Sequence, residues 1–184
     1  MTLILLLNLV FSNFQAEKLK KTDLTDNITM LVPETFRPMT DDELVSKYYT
    51  TRKPLVMLTN QDLSIDLGVN KSATNWNEDD IEIMMDFQKA NIFSLYDQVS
   101  MISEGTKELK GRKYVYFEFE SIIKSDKDAF IKQSAIKKYT YIQYVIIGKE
   151  SLVFNFTCSS MIRNQWAGQA QKMMDSIEIK GRLK

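Results

Sequence analysis

The chain has 184 residues, an apolar fraction of 44%, and 24 basic residues that balance 24 acidic ones. It contains no histidine and one cysteine, Cys158, which excludes Ser-His and Cys-His nucleophile pairs, imidazole ligands for zinc and an internal disulfide bond. The zero net charge excludes a global field that would attract nucleic acid. These limits favour one domain that acts by binding, without cofactor or metal.

The amino-terminal segment, residues 1–16, has no charged side chain and contains the apolar run from Leu3 to Phe11. This run is shorter than the ~20 residues that a membrane-spanning helix needs, and it is typical of a signal peptide. We therefore predict a signal peptide over residues 1–16 and a periplasmic or secreted protein. The alternatives are a truncated start or a buried strand, because no basic residue precedes the apolar run. The absence of cysteine from residues 12–20 excludes a bacterial lipoprotein.

The pattern in the first half of the chain predicts a linker followed by both strands and helices. Residues 17–26 are predicted to be a flexible linker, and residues 27–184 a single domain. The predicted elements are a strand at 27–31, a helix that begins at the capping box Thr40–Glu43, a hairpin of strands at 55–59 and 63–69, and a helix that follows the cap Asn77.

The second half of the chain is dominated by alternating patterns. From residue 99 the apolar period changes to two, which indicates β-strands. The predicted elements are strands at 99–102, 113–124, 137–147 and 151–159 and a closing helix at about 161–176 whose buried face includes Trp166. Consecutive strands with separate helices indicate an α+β domain.

Several short motifs, taken in chain order, carry a resemblance to a known group. They are the segment 31–36, Met39–Thr40 at the start of the first helix, Gly111 before the central strand, the segment 154–158, and the segment 175–177 at the end of the closing helix. Over about residues 27–180 the chain resembles the Mog/PsbP-like superfamily. The resemblance implies a three-layer α/β/α sandwich with a central antiparallel sheet and a non-catalytic role as accessory to a larger assembly.

The most prominent polar group lies on one face of the predicted strand at 113–124. It consists of Tyr114, Tyr116, Glu118 and Glu120, joined by Tyr139 and Tyr141 from the next strand. Three interpretations are open for it: the wetter face of a strand, a ligand-contacting surface, or an acid and base pair in a carboxylate hydrolase. Carboxylates two residues apart on a strand are about 7 Å apart, which favours the first interpretation.

Two further features carry alternatives. Trp76, which precedes the second helix, is either an exposed interface anchor or a hydrophobic staple on that helix. The acidic triplets 41–43 and 78–80 are interpreted as helix caps and not as metal ligands, because consecutive residues on a helical turn point in different directions.

The sequence therefore favours a non-enzymatic, extracytoplasmic protein that binds a protein partner in an envelope assembly. The first alternative is a carrier of a small apolar or aromatic ligand on the tyrosine-rich face. The second is a hydrolase built on Glu118 and Glu120. None of the three includes a membrane-spanning segment or a nucleic-acid partner.

Overall fold

The computed structural model describes residues 16–48, 53–124 and 135–181, so nearly all of the predicted signal peptide lies outside the described residues. The described strands are β1 (Leu19–Thr25), β2 (Ile28–Pro33), β3 (Arg37–Pro38), β4 (Val56–Thr59), β5 (Asp66–Lys71), β6 (Gln98–Leu109), β7 (Arg112–Ile123), β8 (Ile136–Ile147), β9 (Glu150–Ser159) and β10 (Glu178–Ile179). The described helices are α1 (Asp41–Tyr48), α2 (Ile81–Leu95) and α3 (Arg163–Asp175). None of these helices is long and apolar enough to cross a membrane.

A seven-stranded antiparallel sheet forms the centre of the fold, with the strand order β3-β4-β5-β9-β8-β7-β6. Strands β6 to β9 are successive hairpins. The β6–β7 turn is closed by the pair Leu109 and Arg112, and its central residues Lys110 and Gly111 have φ values of 52° and 76°. Two positive φ values are what the two-residue hairpin turn of type I′ requires, and they match the right-handed twist of the strands.

Strand β6 forms one edge of the large sheet. Its pairing with β7 shifts register between Met101 and Ser103, so that Ile102 is an extra residue in the ladder. A bulge of this kind bends the strand and increases its local twist.

Both faces of the large sheet are covered by helices. On one face Val115, Phe117 and Phe119 of β7 pack with Met84 and Ile92 of α2. The other face packs against α3, and the buried residues there include Leu152, Phe154, Phe156, Cys158, Trp166, Ala170 and Met173. The three-layer α/β/α architecture with a central antiparallel sheet is therefore confirmed.

A second sheet has three strands in the order β1-β2-β10 and lies on the same side of the large sheet as α3. Ile28, Met30 and Val32 of β2 belong to the same hydrophobic core as α3. The prediction of a flexible linker over residues 17–26 is wrong, because β1 pairs with β2 along its length. The charged side chains of this segment suggest a linker. As an edge strand, however, β1 holds them towards solvent while Leu19 and Leu24 pack against the core.

The predicted capping box starts α1. The Glu43 amide donates to Thr40 Oγ1 over 3.3 Å, and the Thr40 amide donates to Glu43 Oε2 over 2.9 Å. Arg37 donates from Nη1 and Nη2 to the two Glu43 oxygens, over 2.8 and 2.7 Å. These hydrogen bonds, above all those from Arg37, lower the pKa of Glu43 to about 2.

We expect a carboxyl titration followed by NMR to give Glu43 a midpoint near pH 2, and to move it upwards in Arg37→Met. Because the pKa is lower in the folded state, the stabilisation is complete above the ordinary glutamate value near 4.5 and is lost as the pH falls towards 2. Lys53→Met, which removes the exposed ion pair with Asp41 at the start of the same helix, is the matched control. An unchanged Glu43 midpoint in Arg37→Met contradicts the assignment.

We expect Trp166→Ala to lower the free energy of unfolding by about 3–5 kcal/mol, because it leaves a large cavity in the α3 layer. The indole is 4% exposed, and its ring centroid lies 5.7 Å from that of Phe156 and 5.8 Å from that of Phe36. Met161→Ala, at a side chain 91% exposed just before α3, is the control and changes stability by less than about 0.5 kcal/mol. Equal effects in urea denaturation would refute the packing role of Trp166.

Candidate functional site

The structure brings together most of the predicted polar-aromatic group, on the sheet face that α3 covers. Cross-strand pairing places Glu118 opposite Tyr141 and Glu120 opposite Tyr139. Tyr139 and Tyr141 are buried, and Tyr114, 1% exposed, belongs to the hydrophobic core. The interpretation of this group as the wetter face of a strand is therefore wrong for these three tyrosines, because all of them are buried.

The two carboxylates of the group have separate partners. Glu118 accepts a hydrogen bond from Tyr139 Oη over 2.8 Å at Oε1 and one from Ser103 Oγ over 2.9 Å at Oε2. Burial and the bond to Glu118 raise the pKa of Tyr139, which keeps its hydroxyl a donor. Glu120 Oε2 lies 3.4 Å from Nη1 of Arg163, the first residue of α3. Both carboxylates therefore serve to connect the strand to its neighbours.

A small cavity of about 340 Å³ next to Glu118 contains a lysine that sequence reasoning missed. Lys107 Nζ donates to Tyr141 Oη over 3.0 Å and to Asp175 Oδ1 over 2.5 Å. The same nitrogen lies 5.2 Å from the ring centroids of Tyr116 and Tyr141, which is cation–π distance. Lys107 and Asp175 are 68 residues apart, and no local pattern in the sequence joins them.

Trp76 lies on the opposite side of the sheet from the tyrosines. Its ring is half-buried against α2, with its centroid 5.4 Å from that of Phe87 in an edge-on arrangement. This packing on the following helix agrees with the staple interpretation. The indole nitrogen Nε1 is buried and has no hydrogen-bond partner among the described residues.

The outward face of α2, defined here as Ile83, Phe87 and Phe93, is apolar and exposed. The exposed fractions of these side chains are 64%, 44% and 49%. The inward side of the helix is also apolar, with Met84 and Ile92 in the core. Ile83 and Phe87 are one helical turn apart, so their exposed side chains are neighbours, and a pair of this kind beside the charged Glu82 and Asp86 has the composition of an interface with a polar rim.

Metal ligands do not converge at any of these places. Within the described ranges, no group of three or more His, Cys, Asp or Glu side chains is arranged to hold a metal ion. Cys158 is buried, and desolvation raises the pKa of its thiol to about 12.

No protein-family model matches the chain, and no curated protein matches its sequence. Solved structures do match it. The solution structure of the cyanobacterial PsbP protein CyanoP from Synechocystis aligns with a TM-score of 0.56 and 11% identity, over 91% of this chain and 95% of that one.

Two crystal structures align equally well. One is the Saccharomyces cerevisiae Ran-binding protein Mog1p, with a TM-score of 0.55 and 13% identity over 89% of this chain and 96% of that one. The other is LpqN of Mycobacterium tuberculosis, a protein involved in cell envelope biogenesis, with a TM-score of 0.55 and 9% identity over 89% and 91%. The fold is therefore Mog/PsbP-like, as the resemblance implies.

We expect Tyr139→Phe to lower the free energy of unfolding by about 1.5–3 kcal/mol, because it removes a hydrogen bond to the half-buried Glu118 carboxylate. The control is Tyr116→Phe on the same face, whose hydroxyl makes no hydrogen bond with the described residues. It changes stability by less than about 0.5 kcal/mol. If urea denaturation gives the two variants equal stability, the proposed connection between Tyr139 and Glu118 is wrong.

Proposed function

We propose that the protein is a non-enzymatic, extracytoplasmic accessory module that binds another protein through the outward face of α2. The observation that carries this proposal is the exposure of three large apolar side chains, Ile83, Phe87 and Phe93, on a helix whose other side is already buried. Isolated exposed apolar residues are ordinary, but Ile83 and Phe87 are neighbours one turn apart and Phe93 is exposed further along the same helix, which together is typical of a binding surface.

The surroundings of this face indicate the chemistry of the partner. Glu78, Asp79, Glu82 and Asp86 are exposed on α2 and on the turn that precedes it. A partner that suits this surface presents apolar side chains to Ile83 and Phe87 and basic side chains to the acidic rim. Trp76 supports the surface from behind, since its ring packs against Phe87.

The absence of a reactive group supports a non-enzymatic role. The chain has no histidine, and the carboxylates of Glu118 and Glu120 are engaged by Tyr139, Ser103 and Arg163. The hydrolase alternative would need one of these carboxylates to be released. A ligand carrier on the tyrosine-rich face would need Lys107 to leave its place beside Tyr116 and Tyr141.

The extracytoplasmic location rests on the apolar, uncharged segment 1–16, which has the pattern of a signal peptide. Two proteins of the same fold have names that agree with the proposal. Mog1p is a Ran-binding protein, and LpqN is involved in cell envelope biogenesis. At 13% and 9% identity these names illustrate what the fold can do, and the α2 surface carries the argument.

The test is affinity purification of the full chain, tagged at its carboxyl end, from its native cells. We expect one envelope protein to co-purify with the original chain in a near-stoichiometric amount. The double variant Ile83→Ser, Phe87→Ser should no longer retain this protein. The bait's own amino terminus, read by mass spectrometry, should start near residue 13 or 17. The affinity for the partner should fall at least about tenfold, since each buried anchor at an interface typically contributes about 1–2 kcal/mol or more to binding.

Met161→Ser is the matched control, because this side chain is 91% exposed and lies near α3, on the other side of the sheet. It should retain the partner. Charge reversal at Glu82 and Asp86 should weaken the complex and reduce its salt dependence if the partner is basic. A partner that survives the double variant, or that is lost equally with Met161→Ser, refutes the assignment to α2.

A further inference from the structure

A second cavity, of about 550 Å³, lies between α2, the end of α1 and the face of the large sheet that α2 covers. It is on the opposite side of the sheet from the Lys107 cavity. Its volume lies in the range of small-molecule sites, roughly 300–1,000 Å³. The residues that matter for its chemistry are Lys138, Thr140, Thr157, Ile92, Leu95, Phe119 and Ile142.

One half of the cavity is polar. Lys138 and Thr140 follow each other on the same face of β8, and Thr140 pairs with Thr157 of β9. The two threonine hydroxyls are 3.4 Å apart, and both residues are less than a tenth exposed. The Thr157 hydroxyl donates its single proton to the Tyr139 carbonyl over 3.1 Å, so Thr140 is the donor in the 3.4 Å contact. A ligand oxygen that accepts from Thr140 would replace this long hydrogen bond.

The charges around this polar half do not cancel. Asp66, 1% exposed, accepts from Lys47 Nζ over 2.6 Å, from Tyr48 Oη over 2.5 Å and from Thr59 Oγ1 over 2.8 Å. Lys138 has no hydrogen-bond or ion-pair partner among the described residues. Asp66 therefore forms its ion pair with Lys47, and Lys138 adds a second positive charge near the same carboxylate.

The surroundings of Lys138 disfavour the charged form of its side chain. Burial lowers the pKa of its ammonium group, and the nearby charge of Lys47 lowers it further, although Asp66 acts in the opposite direction. A bound anion would stabilise the charged form.

Apolar side chains line the rest of the cavity together with a few polar ones. Ile92 and Leu95 of α2 form one wall with Gln88, Asn91 and Ser94, and Phe119 and Ile142 of the sheet form the floor. Leu95 is 70% exposed, so the apolar wall continues to the surface and leaves a route of entry.

We infer that this cavity binds a single-chain carboxylate, with its carboxylate group at Lys138 and Thr140 and its hydrocarbon chain along Ile92, Leu95 and Phe119. The arrangement has the two features of such a site, a few placed polar groups and a predominantly apolar wall. This inference goes beyond the proposed function and uses none of the residues that define the outward face of α2.

The test is calorimetric titration of the full chain with octanoate, 1-octanol and octyltrimethylammonium at neutral pH. We expect octanoate to bind at least about tenfold more tightly than octanol, because a hydrogen bond to a charged group in a buried site contributes strongly to affinity. Octyltrimethylammonium should bind more weakly than octanol. Acetate, which has the charge without the chain, should show no binding.

Lys138→Met keeps the length of the side chain and removes its charge, and we expect it to abolish the preference for octanoate over octanol. Lys137→Met is the matched control, because Lys137 is the preceding residue on β8, is exposed, and points to the other face of the strand. Thermal unfolding of both variants checks that they fold. Equal binding of octanoate and octanol, tighter binding of the cation, equal loss in the two variants, or no octanoate binding by about 10 mM each overturns the inference.

Discussion

The structure depends on one constraint, which is that helices on both faces of the large sheet bury the alternating side chains of its central strands on both sides. Strand β7 sends Val115, Phe117 and Phe119 to α2 and its tyrosines and glutamates to the α3 side. Buried polar groups on either face therefore need a partner from a neighbouring strand or helix. The pairs formed by Glu118 with Tyr139 and by Lys107 with Asp175 follow from this requirement.

Enclosure also separates polar groups that maintain the fold from those available to a ligand. Where hydrogen bonds are complete, as around Glu118 and Asp66, the side chains hold strands and helices together and have little capacity left for chemistry. Lys138 differs, since it is half-buried without a partner among the described residues. The outward face of α2 presents the opposite case, because its apolar side chains are exposed to solvent.

The features that could be predicted from the sequence are those set by neighbouring residues. The long alternating strands, the Thr40 to Glu43 capping box and the inward position of Trp166 each follow from a pattern within a few residues. Features that depend on strand order could not be predicted. Strand β1 resembles a charged linker until β2 is beside it, and the Lys107 site forms only when α3 lies across the hairpin. The cavity at Lys138 likewise combines α1, α2, β8 and β9.

The register shift in β6 has a consequence for the protein in a crowded solution. A straight twelve-residue edge would offer a row of free backbone groups on which another chain could extend the sheet, the first step of fibrous aggregation. The extra residue at Ile102 interrupts that row, and charged side chains at Glu104, Lys107 and Glu108 follow it. Polymerisation by sheet extension along β6 is therefore disfavoured.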